Sequence, residues 1–190
     1  MNTYGRGNPE VERVIAEMNA LNAAISAPTP ELAREAQAMV RAVEAQWPAP
    51  RTVADFTVRA SMARITGSKA PAGEPERTVG EPCTWSVRAF ELIALAWLAW
   101  SRGDSERARH HIERWSAEAG RPENLNNSDS AIQSFAVALW ANAIEALLEG
   151  RTDDSRRFYE RVYEVGSSFG TESHPTVLWT MAASFFTPGG

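Results

Sequence analysis

The chain has 190 residues, of which 44% are hydrophobic and 23% are charged, and these values are typical of globular proteins and exclude wholesale disorder. Its formal net charge of −5 would repel a phosphate backbone unless the arginines were segregated onto one face, so nucleic-acid binding is disfavoured. Cys83 is the only cysteine, which excludes an intrachain disulfide and a cysteine-ligated structural zinc site within one chain.

Two further features bear on location and origin. The longest strongly apolar run, residues 89–100, is shorter than the roughly 20 residues that a membrane-spanning helix needs, so we expect a cytoplasmic protein without membrane contact. Lys69 is the single lysine beside eighteen arginines, and alanine is abundant. GC-rich codons produce this bias, which indicates a high-GC bacterium, or a phage or plasmid that lives in one.

The first third of the chain has the pattern of three amphipathic helices. Asn8 and Thr29 are each followed by proline, a combination typical of a helix start. Together with apolar residues spaced three and four apart, these signals predict helices near residues 9–21, 30–47 and 52–65. The predicted inward-facing residues of the second helix are Leu32, Ala36, Met39, Val40 and Val43.

A loop-like segment separates these helices from the rest of the chain. The stretch from Gly67 to Pro82 holds three glycines and three prolines and has almost no apolar content. Such a composition is typical of irregular structure. We therefore predict N-terminal helices in residues 1–66, an irregular connection over residues 67–83, and further helices in residues 84–190, all within one compact domain.

The second half of the chain repeats one arrangement: an apolar helix, a glycine turn and an amphipathic helix. The two predicted hairpins comprise residues 84–101 and 105–119 about Gly103, and residues 128–149 and 153–169 about Gly150. We expect Trp97 and Trp140 in the core, Gly120 as a left-handed helix cap, and a final covering helix that starts near residue 174. The predicted fold is all-α, with about eight helices in stacked antiparallel hairpins.

Residues around both glycines resemble the tetratricopeptide repeat pattern. Those that carry the resemblance are Leu92, Leu95, Ala96, Ala99, Gly103, Ala108 and Ile112 in the first hairpin, and Leu139, Ala143, Ala146, Gly150 and Tyr159 in the second. The resemblance implies TPR-like stacking over about residues 84–170. Residues 95–104 are also similar to the carboxy-terminal part of an actinobacterial domain family of unknown function.

Three polar residues on the apolar helices are candidates for a ligand site. Glu91 lies among apolar neighbours, where its carboxylate would be desolvated or would pair with Arg88. Asn142 and Glu145 lie on the analogous helix of the second hairpin, and the three side chains together could line a polar pocket. The alternative is that they are edge positions that reach solvent.

Histidines and arginines supply the remaining candidates. His110 and His111 are adjacent, and adjacent helical residues point about 100° apart, so we predict a solvated helix face and no metal site. The densest basic patch comprises Arg151, Arg156, Arg157 and Arg161. Acidic residues are interspersed in this patch, which predicts either a protein-interaction surface or a solvated face with i,i+4 ion pairs such as Asp153–Arg157.

These observations favour a protein–protein interaction module or adaptor over an enzyme. Stacked hairpins leave a surface for a protein partner or for self-association, and the sequence predicts no cofactor and no catalytic group. A bacterial regulator and a phage or plasmid protein that binds a host complex both fit this hypothesis. The main alternative is a small-ligand-binding or enzymatic helical domain with a polar pocket near Glu91.

Overall fold

The computed structural model describes residues 30–45, 49–76, 85–121, 124 and 131–168. This described part contains α-helices and one isolated bridge, between Thr52 and Glu76, and it contains no strand. The six helices are α1 (Pro30–Glu44), α2 (Val53–Thr66), α3 (Trp85–Ser101), α4 (Ser105–Ala119), α5 (Ala131–Leu148) and α6 (Thr152–Ser168). The all-α prediction is confirmed for these residues, whereas the predicted first and last helices lie outside them.

Local signals account for both ends of α2. The Thr52 hydroxyl accepts a hydrogen bond from the Asp55 backbone N–H at 3.1 Å, and the Asp55 carboxylate accepts one from the Thr52 N–H at 2.9 Å. This capping box satisfies two amides that the helix leaves unpaired. Gly67 ends the helix with φ 69°, a left-handed conformation that glycine adopts without steric cost.

Of the five residues predicted to face inward from α1, the structure describes the side chains of Met39 and Val40, and those of Leu32, Ala36 and Val43 lie outside the described part. Val40 is fully buried, but Met39 is 48% exposed, so its predicted inward orientation is wrong. Among the described helices, the main neighbour of α1 is α2.

An antiparallel hairpin is formed by α3 and α4. Arg88, in the first turn of α3, pairs with Glu118, in the last turn of α4, at 2.9 Å. Gly103 makes the turn with φ 81°, and Asp104 then caps α4 by accepting from the Arg107 backbone N–H at 3.0 Å. Gly120, however, has φ −78°, so the predicted left-handed cap is wrong and α4 ends in a right-handed turn that any residue can adopt.

The hairpin of α5 and α6 repeats this turn. Gly150 has φ 76°, and the Arg151 N–H donates to the Ala146 carbonyl at 2.8 Å, as the Asp104 N–H donates to the Ala99 carbonyl at 3.0 Å. The two glycines are 47 residues apart, and the same interval relates positions buried in both apolar helices. These pairs are Leu92 and Leu139, Ala96 and Ala143, Trp97 and Ile144, and Ala99 and Ala146.

The core is centred on α3, which packs against α2, α4 and α5. Trp97 and Trp140 are both fully buried, as predicted. Trp97 stacks on Trp100, meets Tyr159 edge-on with a centroid separation of 6.2 Å, and donates its indole N–H to the Ser61 hydroxyl at 3.2 Å. The N-terminal helix α2 thus shares one core with both hairpins. None of the described helices has the length and apolarity to cross a membrane.

The described part of the predicted connection, residues 67–76, is irregular and is attached to the end of α3. The Arg102 guanidinium donates to the Pro71 carbonyl at 2.7 and 3.0 Å and to the Gly73 carbonyl at 2.7 Å. It also lies 5.5 Å from the centre of the Phe56 ring. One arginine therefore fixes the course of this segment beside the turn between α3 and α4.

Candidate functional site

The structure places the three residues of the predicted polar pocket in different environments. Glu91 is partly buried, and its Oε1 atom is inaccessible to solvent and has no hydrogen-bond partner. Asn142 is partly buried and Glu145 is exposed. Among the described residues, no hydrogen bond or ion pair joins Glu91 to either of them, and Arg88 pairs with Glu118 instead. A pocket shared by the three residues stays a prediction.

The predicted basic patch runs from the residue before α6 into the third turn of this helix, and two of its four arginines lie beside carboxylates. Arg151 donates to Glu149 at 2.7 Å and to Asp154 at 2.8 Å, and these hydrogen bonds raise its pKa. Arg157 lies 3.7 Å from Asp154 and not beside Asp153. Arg156 and Arg161 are also exposed. Exposed ion pairs of this kind are screened by water and contribute little to stability.

One side of α5 forms a partly exposed stripe, which we call the α5 face. It comprises Phe135, Ala138, Asn142 and Glu145, at spacings of three and four residues, and Phe135 and Glu145 are its exposed members. Phe135 is 48% exposed, although Trp140 and Ile144 of the same helix are fully buried. Two of the residues predicted for a ligand pocket therefore lie on an outer surface beside an aromatic side chain.

A small cleft lies where the segment 67–76 crosses the turn between α3 and α4, and we call it the α4 cleft. Its volume is about 20 Å³, enough for one water molecule. The lining residues are Glu74, Leu95, Leu98, Ala99, Arg102, Asp104, Arg107 and His111. The cleft thus has an apolar floor from α3. Its charged side chains come from the segment 67–76 (Glu74), from the turn (Arg102 and Asp104) and from α4 (Arg107).

An ion pair closes the cleft. Arg107 donates to both oxygens of the Glu74 carboxylate, at 2.8 and 2.7 Å, and Arg102 Nη1 lies 4.0 Å from Glu74 Oε1. The hydrogen bonds from Arg107 lower the pKa of Glu74, and the same bonds raise the pKa of Arg107. Glu74 is therefore ionised at neutral pH and bridges the loop segment to α4.

His111 lies beneath this ion pair and is only 8% exposed. Burial lowers its pKa from the usual 6.5 to about 4, and the positive charges of Arg107, His110 and Arg114 contribute in the same direction. The ring is thus neutral at pH 7, and neither ring nitrogen has a hydrogen-bond partner. The predicted solvated face is wrong for His111, whereas His110 is exposed as predicted.

Known proteins offer no guide to this chemistry. Comparison with protein families, curated proteins and solved structures found no match.

The sequence contained a signal for the buried histidine. Positions 108, 111, 112 and 115 follow the spacing of an inward-facing helical stripe, so His111 takes a place between Ala108 and Ile112, both of which are buried. The partners Glu74 and Arg102 had no such signal, because loop residues converge on a helix only through the tertiary fold. Within the described residues, no group of three or more acidic, histidine or cysteine side chains could hold a metal ion.

Proposed function

We propose that the chain is a protein–protein interaction module and that the α5 face is part of its binding surface. The observation that carries this proposal is Phe135, a large aromatic side chain that is 48% exposed on a helix whose other side is buried. Aromatic anchors surrounded by polar residues are typical of the centres of protein interfaces. Asn142 and Glu145 supply such polar groups on the same face.

The core behind the α5 face is tightly packed, and this supports the use of the α5 face as a binding surface. Trp140 and Ile144 are fully buried on the opposite side of α5, and Phe90 packs against Trp140 with ring centroids 5.5 Å apart. A surface held by a packed core loses little conformational entropy when a partner binds, and this favours affinity.

We further propose that the hairpins are of TPR type. The matching turns at Gly103 and Gly150, the positions buried at the same interval, and the packing of α5 against both α3 and α4 support this assignment. TPR-like stacks present helix faces to protein partners, so the assignment is consistent with a bacterial adaptor or with a phage or plasmid protein that binds a host complex.

The α5 face also indicates the chemistry of a partner. An apolar side chain of the partner would cover Phe135, and a basic side chain about two to three turns along would face Glu145, which is exposed and negatively charged. The partner could be another protein or a second copy of this chain.

The test is the substitution Phe135→Glu. We expect it to weaken the complex at least about 30-fold, because truncating a central aromatic anchor typically costs 2 kcal/mol or more. Affinity would be measured with a partner captured by a photo-crosslinking group at position 135 from lysate of a high-GC bacterium, and self-association by light scattering.

The matched control is Met39→Glu, which introduces the same charge at a side chain that is also 48% exposed but lies on α1. It should leave both readouts unchanged. A wild-type chain that is monomeric and captures no stoichiometric partner would contradict the proposal.

A second candidate function is the binding of a small ligand near Glu91. The specific observation is the buried Oε1 atom without a hydrogen-bond partner, because an unpaired buried carboxylate oxygen costs free energy that a ligand donor would recover. This hypothesis treats Glu91 as the group that orients the ligand.

Glu91→Gln tests the second candidate. A ligand present at about a hundred times its dissociation constant stabilises a protein by roughly 2.7 kcal/mol, and we expect Glu91→Gln to remove most of that stabilisation. Thermal unfolding would be followed across a small-molecule panel, with Glu113→Gln on the exposed side of α4 as control. A ligand profile identical to that of the wild type would eliminate the pocket.

A further inference from the structure

The α4 cleft holds a carboxylate in an arrangement that suits an external anion. We propose that the cleft is a binding site for a small oxyanion of the phosphate class, and that the Glu74 carboxylate occupies the position which the anion takes when it binds. The site is separate from the α5 face, so its test is independent of the proposal that the α5 face binds a protein.

The first argument is the geometry of Arg107. Its Nη1 and Nη2 atoms donate to the two oxygens of Glu74 at 2.8 and 2.7 Å. This planar two-bond fork matches phosphate as well as it matches a carboxylate. Arg102 Nη1, 4.0 Å from the same carboxylate, adds a second positive charge.

The second argument is the exposure of Glu74. Its side chain is 62% exposed and belongs to an irregular segment, and that segment stays attached through the bonds from Arg102 to Pro71 and Gly73. Rotation of the Glu74 side chain into water therefore frees Arg107 without disturbing the backbone. Ion pairs of such exposure contribute little to stability because water screens both charges, so displacing the Glu74 carboxylate costs little free energy.

The third argument is His111. The ring is more than nine-tenths buried, it lines the cleft, and neither nitrogen has a hydrogen-bond partner. A neutral imidazole has one N–H donor and one acceptor nitrogen, and leaving a buried donor unpaired is unfavourable. A phosphate oxygen in the cleft would accept from that N–H.

Charge and size determine how the anion must bind. With Glu74 in place, two arginines face two carboxylates, of which Asp104 is already engaged as the cap of α4. The cavity of about 20 Å³ then admits only a water molecule. An oxyanion therefore binds by replacing Glu74, and the cleft without that carboxylate carries a net positive charge.

The experiment is a titration of the full chain with inorganic phosphate, followed by calorimetry and by the NMR signals of the His111 ring. We expect Glu74→Gln to bind phosphate about tenfold more tightly than the wild type, because it removes the internal competitor and its charge. Glu76→Gln, which removes one charge from the same segment outside the cleft, should bind like the wild type. In the Glu74→Gln protein, bound phosphate should raise the pKa of His111.

A second substitution tests whether the Arg107 guanidinium binds the anion. Arg107→Gln in the Glu74→Gln background should abolish binding, whereas Arg114→Gln in that background should not. If the first of these proteins loses its helical circular dichroism, Arg107→Lys replaces it, and loss of the two-bond fork should weaken binding about fivefold. Methyl phosphate, titrated in parallel, distinguishes a phosphate monoester from free phosphate as the ligand.

Two results would overturn the proposal. The first is a Glu74→Gln protein that binds neither phosphate nor methyl phosphate more tightly than the wild type. The second is phosphate binding that persists unchanged when Arg107 is replaced.

Discussion

Replacing Trp97 by alanine is expected to lower the free energy of unfolding by about 3 to 5 kcal/mol, the usual cost of truncating a buried aromatic side chain. Trp97 is fully buried, stacks on Trp100 at 5.1 Å and meets the edge of Tyr159 at 6.2 Å. It therefore joins α3 to α6, and its indole N–H, bonded to Ser61 at 3.2 Å, joins α3 to α2. The substitution would open a cavity where these three helices meet.

Urea denaturation followed by circular dichroism would measure this loss. Phe135→Ala, an aromatic truncation at a side chain that is 48% exposed, is the matched control and should change stability by less than about 1 kcal/mol. Ser61→Ala separates the polar contribution, because it leaves the buried indole N–H of Trp97 unpaired at a cost of about 1 to 3 kcal/mol. Equal losses for Trp97→Ala and Phe135→Ala would mean that Trp97 does not occupy the core.

The second large effect concerns pH, and it follows from the neutral state of His111. Its pKa is about 4 in the folded chain and near 6.5 when unfolded, so between these values the unfolded chain binds a proton that the folded chain does not. Stability is therefore complete above about pH 6.5 and is lost progressively as the pH falls towards 4. Allowing for water at the edge of the cleft, we expect this residue alone to account for roughly 2 kcal/mol.

Substitutions of His111 and of its neighbour His110 separate the contribution of His111 to the pH dependence of stability. Between pH 7 and pH 4, the wild type should lose roughly 2 kcal/mol more stability than His111→Gln does. His110→Gln, which alters an exposed ring on the same helix, should follow the wild-type curve. An NMR titration in which the His111 ring gains its proton near pH 6.5 would refute the buried, neutral state.

Several features of the fold could be predicted because their causes are local. The start of α2 at the Thr52 capping box, its end at Gly67, and the turns at Gly103 and Gly150 each depend on a few adjacent residues. The burial of Trp97 and Trp140 was also predictable, because a helix that is apolar on nearly all sides must be covered.

Two wrong predictions concern the exposure of one side chain on α1 and the conformation at the end of α4. Met39 belongs to an apolar stripe, yet it is exposed, and among the described helices α2 is the main neighbour of α1. Gly120 was expected to be left-handed from its residue type, but the helix ends there in a conformation that does not require glycine.

The candidate sites likewise combine features that the sequence predicts with features that only the tertiary structure defines. Composition and periodicity determined the helices, their order and the apolar sides that had to be buried, since these follow from spacing along one segment. Only the tertiary structure decided that Glu74, from a loop, meets Arg107 and Arg102 beside His111, and that the Phe135 side chain is 48% exposed. Contacts between segments distant in sequence depend on how helices pack, and the pattern of a single segment does not specify that packing.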